Sequence, residues 1–224
     1  MKNTVSFFAV LIHLTLNAQV NSDSIFSKNG NIEAIVFDDR DYEKIDYSFA
    51  LKKEINSGLK SVNPNIGFEM GMIFRNTLNK KGVINGVTLF LYKTDAKDKV
   101  SDLEINFYNI DSLTGKPGTK INKSAIIYSP KNKRKGNVRI PLANHKIIFP
   151  VKGVFVAVKW LPTKDFDKKT GPALRLTNFN ERLTYTRFDN GKWGYGPNFC
   201  HKNNCYTNIM VGIDVLVKRK KKHE

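Results

Sequence analysis

Short runs of alternating apolar and polar residues fill the chain from Gly82 to Pro162. Leu103, Ile105 and Phe107 fall on one side of an extended backbone and Glu104, Asn106 and Tyr108 on the other, the period-2 pattern of a half-buried strand. The period returns in Val87, Leu89 and Leu91, in Val138, Ile140 and Leu142, and in Val154, Val156, Val158 and Trp160. Read outward from there, the pattern predicts strands over 66–74, 83–93, 100–110, 124–128, 137–142, 146–149, 151–160, 173–178, 182–188 and 206–217. The run 151–160 is the most apolar, and its β-branched content predicts a central strand buried on both faces. Asp189-Asn190-Gly191 reads as a hairpin turn, and Gly115-Lys116-Pro117-Gly118 as a loop. Residues 42–59 carry apolar positions among helix formers and predict a short helix or an irregular excursion. About ten strands at regular spacing predict an all-β fold of two packed antiparallel sheets, a jelly roll first and an immunoglobulin-like sandwich second.

At 224 residues, 41% hydrophobic and 25% charged, the chain has the composition of one globular domain with room for a sizeable core. The formal net charge of +17 is the outlying value. Such an excess of Lys and Arg draws nucleic acid, anionic lipid headgroups or acidic polysaccharide, and it also serves plain solubility.

The N-terminus chooses among those partners. Lys2 precedes an almost continuously apolar stretch over 5–16, and Leu16-Asn17-Ala18 ahead of Gln19 ends on a small residue. About 12 apolar residues fall short of the about 20 that a membrane span needs, so the stretch reads as a cleaved secretory signal. The expected organisation is a signal peptide over 1–18, a mixed segment over 19–65, a β-sandwich over 66–217 and a basic tail over 218–224. Export to the periplasm, the outer-membrane surface or the medium makes nucleic acid an unsuitable partner, and no second stretch is long enough to span a membrane. It also favours oxidised cysteines, and Cys200 and Cys205 stand at a spacing suited to a bridge over a short loop. A zinc reading would recruit His201, but a closed site needs about four ligands and the remaining histidines show no spacing relation to it.

The run from Leu103 to Gly118, followed by Gly153-Val-Phe-Val-Ala-Val-Lys-Trp160 and preceded by Asn65-Ile-Gly-Phe-Glu-Met-Gly71, resembles secreted β-sandwich modules of Bacteroidota. Some of those modules follow carboxypeptidase-like regulatory domains, and their shape is similar to galactose-binding-like jelly rolls. The resemblance implies a fold and an exported address, and no activity.

Three chemistries can be weighed. Trp193, Tyr195 and Tyr206 bracket the hairpin and the cysteine loop, where stacked rings with Asn198, Asn203 and Asn204 could hold a sugar; aromatics also serve cores. Lys131, Lys133, Arg134 and Lys135 could grip a polyanion, as could Lys168, Lys169 and the tail from Lys218. A glycosidase needs two carboxylates about 5–10 Å apart, for which Asp38, Asp39, Asp41 and Glu69 are the acids at hand. The acidic turn is equally a source of oxygen ligands for structural calcium, although the EF-hand pattern is missing. No nucleophile elbow, zincin or phosphate-loop motif occurs. The expectation is therefore an exported protein that binds a glycan or cell-surface component, without a cofactor. A structural or adhesive envelope protein contacting a protein or anionic surface comes second, and a glycoside-active enzyme third.

Overall fold

Alternating side chains can all be satisfied only if each sheet turns its apolar face to another. The computed structural model describes residues 41–47, 61–62, 66–92, 99–130, 136–162 and 170–219. The expected signal segment, Lys131, Lys133, Arg134 and Lys135, Lys168 and Lys169, and the basic residues after Arg219 lie outside the described residues.

In chain order the strands are β1 Tyr42–Tyr47, β2 Ser61–Val62, β3 Phe68–Phe74, β4 Gly82–Tyr92, β5 Lys99–Val100 and β6 Leu103–Ile110. They continue with β7 Pro117–Lys120, β8 Ile127–Tyr128, β9 Gly136–Pro141, β10 Ile147–Phe149 and β11 Val154–Trp160. Then come β12 Thr170–Gly171, β13 Ala173–Phe179, β14 Thr184–Phe188, β15 Gly194–Tyr195, β16 Tyr206–Ile209 and β17 Val211–Lys218. One sheet runs β1-β17-β4-β13-β16, with β9 and β10 also pairing with β4 and β2 with β13. The other runs β15-β14-β3-β11-β6-β7, with β8 also on β6. The fold is the expected all-β sandwich of two antiparallel sheets. β5 and β12 form a separate parallel pair. Among the described residues no helix is long and apolar enough to cross a membrane.

The core lies between the sheets. Ile84, Val87 and Leu89 of β4 and Ile213 and Val215 of β17 share it with Met70, Met72 and Phe74 of β3, Phe107 of β6 and Trp160 of β11. Between Asp214 and Val215 the register on β4 shifts past Asn85, a bulge that keeps Ile84 and Val87 on the same inward side. The Trp160 indole N–H donates to the Pro172 carbonyl at 2.9 Å, so its one polar atom is satisfied in the interior.

Several elements differ from the sequence pattern; among them Pro117 and Gly118, read as loop, open β7 on the edge of β6. Tyr42–Tyr47 is a strand and not a helix, paired along its whole length with β17 from Tyr42 opposite Lys218 to Tyr47 opposite Ile213. Only Ile45 and Tyr47 of it turn toward the core, so the alternation is faint, as befits an edge strand. With β2 on β13, residues before 66 thus contribute to the sandwich. The single strand expected over 206–217 is two, broken at Met210, whose N–H donates to the Arg175 carbonyl and whose carbonyl accepts from the Phe90 N–H. The break sends β16 to β13 and β17 to β4. The Asp189-Asn190 turn forms as expected, with φ of 46° and 59° and the Gly191 N–H donating to the Phe188 carbonyl.

Gly153 opens β11 with φ +98°, and a Cβ there would lie 2.1 Å from the Phe74 carbonyl oxygen. Gly153→Ala is expected to cost about 3 kcal/mol in urea unfolding. Gly115→Ala, at φ +67° with nothing within 4 Å, should cost only about 1 kcal/mol. Equal costs at the two positions would mean that backbone dihedral alone, and not the contact with β3, sets the requirement.

Candidate functional site

The register of the seven-stranded sheet lines up its outer face in rows. Glu104, Lys159, Glu69 and Arg187 form one row; Asn106, Ala157, Gly71, Tyr185 and Tyr195 the next; Tyr108, Phe155 and Ile73 a third. A sheet face with no second layer over it is ordinarily polar. This one instead carries a second cluster of buried residues, Ile73, Tyr108, Phe155, Ala157 and Tyr185, with Trp193 and Ile110 packed against it.

Phe155 is the centre of the cluster. Its ring lies where a Cβ on Gly71 would stand, 2.4 Å from Phe155 Cε1, so the glycine makes the room. Trp193, in the chain between β14 and β15, meets Phe155 edge-on at 5.0 Å and Tyr108 at 5.5 Å, and Tyr185 meets Phe155 at 5.8 Å. Such T-shaped pairs match ring edges to ring faces and add to area burial. Tyr195 lies over Tyr185 at 4.7 Å and stays 52% exposed, with the Arg182 guanidinium 4.5 Å from its centroid.

Beside the rings sits a buried carboxylate. Glu69 is 1% exposed; Asn106 Nδ2 and the Tyr108 hydroxyl donate to its Oε1 at 3.0 and 2.8 Å, and Arg187 Nε donates to Oε2 at 2.7 Å. Arg187 Nη2 also donates to the Tyr108 oxygen at 2.6 Å. Its guanidinium stands 4.5 Å from the Trp193 ring and 5.1 Å from that of Tyr108, so the cation is held by a carboxylate and by two π-faces. Burial, then the neighbouring Glu69, pushes the Tyr108 phenol well above its ordinary value, so it keeps the proton it donates. Tyr185 is pushed up too, by burial and then by its hydrogen bond with Tyr195. Asn106 Oδ1 is buried and has no hydrogen-bond partner among the described residues.

Glu69 was one of the acids at hand for glycosidase chemistry, and the structure engages both its oxygens. Among the described residues no group of three or more His, Cys, Asp or Glu converges on a metal-sized site. The outer face thus presents Tyr195 on a packed aromatic cluster, with the Arg182 and Arg187 guanidinium groups against its rings.

Of the residues singled out on sequence, Trp193 and Tyr195 meet on this face, Trp193 half-buried as a support and Tyr195 outermost. Tyr206 lies on β16 in the other sheet, half-buried, and Asn203 and Asn204 are exposed in the cysteine loop that precedes it. Cys200 and Cys205 form the expected disulfide, their Cα atoms 5.7 Å apart. Asn198 is spent on that loop: its Oδ1 accepts from the Cys200 and Thr207 N–H groups at 3.2 and 2.9 Å and its Nδ2 donates to the Cys205 carbonyl at 3.1 Å. Asn208 ties the two sheets together, its Oδ1 accepting from the Leu183 and Thr184 N–H groups at 2.8 and 2.9 Å.

No family model and no curated protein matches the chain. Among solved structures it is similar to a clostridial cysteine protease, Cwp84, after propeptide cleavage, at 15% identity and a TM-score of 0.46, over 80% of this chain and 41% of that one. It is also similar to the cysteine protease and lectin-like domains of Cwp84, a surface layer associated protein of Clostridium difficile, at 14% identity and 0.45, over 80% and 36%. The chain thus spans less than half of either, and likeness at this level transfers neither proteolysis nor binding.

Removing one partner of a buried ion pair leaves the other charge uncompensated, so Arg187→Met is expected to cost about 3–5 kcal/mol in urea unfolding. Combining it with Glu69→Gln should restore at least half of the loss. Additive losses in the double variant would show that the two side chains act independently. Cys200→Ser with Cys205→Ser should cost about 2 kcal/mol by the same measurement, the scale of a short closed loop.

Proposed function

We propose that the chain is an exported binding protein that recognises an extracytoplasmic glycan or cell-surface component through the outer face of its seven-stranded sheet. Tyr195 is the contact ring in this reading, with Tyr185 and Trp193 behind it and Arg182 alongside. The observation that carries it is a half-exposed Tyr195 fixed on a dense aromatic cluster, where a solvated sheet would carry polar side chains. A ring held in place loses little conformational entropy when the apolar face of a sugar stacks on it, and the adjacent Arg182 guanidinium supplies directional donors to hydroxyls. The export signature of residues 1–18 and the Cys200–Cys205 disulfide support the address.

A second reading, an adhesive protein that contacts a protein partner, draws on Phe188, which ends β14 and is 58% exposed. An exposed phenylalanine is a residue type of interface anchors, and the pairing of Phe188 with Phe68 sets it on the other side of the sheet from Tyr195.

A glycan and polysaccharide array probed with the protein at about 0.1 and about 0.5 M salt separates the readings. Stacking should persist at the higher salt, and Tyr195→Ala should weaken binding about tenfold or more with the unfolding midpoint unchanged. Trp193→Ala should weaken it too, through loss of the support. Undiminished binding by Tyr195→Ala would overturn the site, and an array empty at both salts would turn the reading toward a protein partner.

A further inference from the structure

One end of the sandwich collects more positive charge than the pairing pattern requires. Gly82 at the start of β4 pairs with Phe149 at the end of β10 and with Val217 near the end of β17, and Lys218 pairs with Tyr42 at the start of β1. On the other sheet Phe74 at the end of β3 pairs with Val154 at the start of β11, and Ile110 at the end of β6 with Pro117 at the start of β7. Asn76 Nδ2 joins two of the loops by donating to the Pro150 carbonyl at 2.9 Å. Topology therefore gathers Lys80, Lys81, Lys116, Lys152, Lys218 and Arg219 at this end, all exposed. Lys152 faces Asp111, and the other five make no ion pair among the described residues. Asp41 and Glu43 are the acids beside Lys218 and Arg219: the Asp41 carbonyl accepts from the Arg219 N–H at 2.9 Å, and Glu43 lines a shallow cleft with Lys80, Lys218 and Arg219.

An apolar side chain stands out from the same end. Leu113 is 94% exposed, and the loop that carries it is closed on itself. Asp111 Oδ1 accepts from the Leu113 and Thr114 N–H groups at 3.1 and 2.8 Å and from the Thr114 hydroxyl at 2.8 Å, while the Asp111 N–H donates to the Lys116 carbonyl at 2.9 Å. Those bonds hold Asp111 well below the usual carboxylate range, led by the Thr114 N–H and then its hydroxyl. Across a cleft of about 410 Å³, lined by Lys81, Asp111, Ser112 and Lys152 among others, Val151 is 41% exposed.

We propose that this end of the sandwich seats on an anionic lipid surface, the lysines and Arg219 at the level of the headgroups and Leu113 with Val151 entering the boundary of the acyl chains. An acidic polysaccharide would answer the cations and leave Leu113 in water. A lipid surface answers both, because it sets an apolar phase directly behind a layer of negative charge. The loop around Asp111 presents Leu113 already ordered, so insertion costs little further conformational freedom. The surface is separate from the aromatic face, and the two are tested independently.

The test is co-sedimentation of the full chain with vesicles of phosphatidylcholine alone and of equal parts phosphatidylcholine and phosphatidylglycerol. Because the apolar stretch over 5–16 can partition by itself, the readout is the difference between the parent and its variants on the same vesicles. The parent should favour the phosphatidylglycerol vesicles, and Leu113→Asp should lower partitioning on them about tenfold. The triple variant Lys80→Glu, Lys81→Glu, Lys152→Glu should lower it at least as much. All four positions are exposed, so unfolding midpoints should stay at the parent value, and Tyr195→Ala should bind vesicles as the parent does. Equal partitioning of parent and Leu113→Asp, equal partitioning on the two vesicle types, or failure of the parent to sediment would each overturn the proposal.

Discussion

A strand buried on both faces, with the opposite sheet over only one of them, is the constraint on which the rest of the molecule turns. Val154, Val156, Val158 and Trp160 of β11 point into the space between the sheets, where the opposite sheet covers them. Phe155 and Ala157 point the other way, to a side over which no second sheet lies among the described residues, and yet are fully buried. Something other than a sheet has to cover them. The chain between β14 and β15 does so by laying Trp193 over Phe155, and Tyr108 and Tyr185 close the flanks. The aromatic surface from which recognition is inferred is thus first a solution to a burial problem.

The ion pair follows from the same constraint. Glu69 lies in a central strand, and ring packing around it removes water that would otherwise solvate the carboxylate. Such a charge is tolerable only when its lone pairs are filled. Arg187 fills them from the adjacent β14, and Tyr108 and Asn106 from β6, reaching past β11 along the same outer face. Arg187 then serves twice, since the charge that balances Glu69 also lies against the Trp193 ring. Cover and counter-charge hold each other in place.

Much of this was legible in the sequence, and the division has physical causes. Inward positions of β4, β6, β11 and β17 announce themselves by period 2 because both sheets hide one face. The doubly apolar run at 151–160 marked the central strand, and Asp189-Asn190-Gly191 marked the turn after β14 through local dihedral demands. β1 was faint because an edge strand needs little apolar surface, and the break at Met210 left no Pro or Gly to betray it, being made by hydrogen bonds to Arg175 and Phe90. The Glu69–Arg187 pair joins residues 118 apart in the chain, so no spacing rule could link them. Glu69 itself, a charge in a strand otherwise fit for a core, was the one clue to its need for a partner.

The pairing of β1 with β17 has a further meaning for how the molecule comes into being. The last long strand lies between β1 and β4, so the edge strand β1 has no place in its sheet until residues near Lys218 have been made. Contacts of such sequence separation close late and slowly. The sandwich therefore cannot shut until that strand has been made.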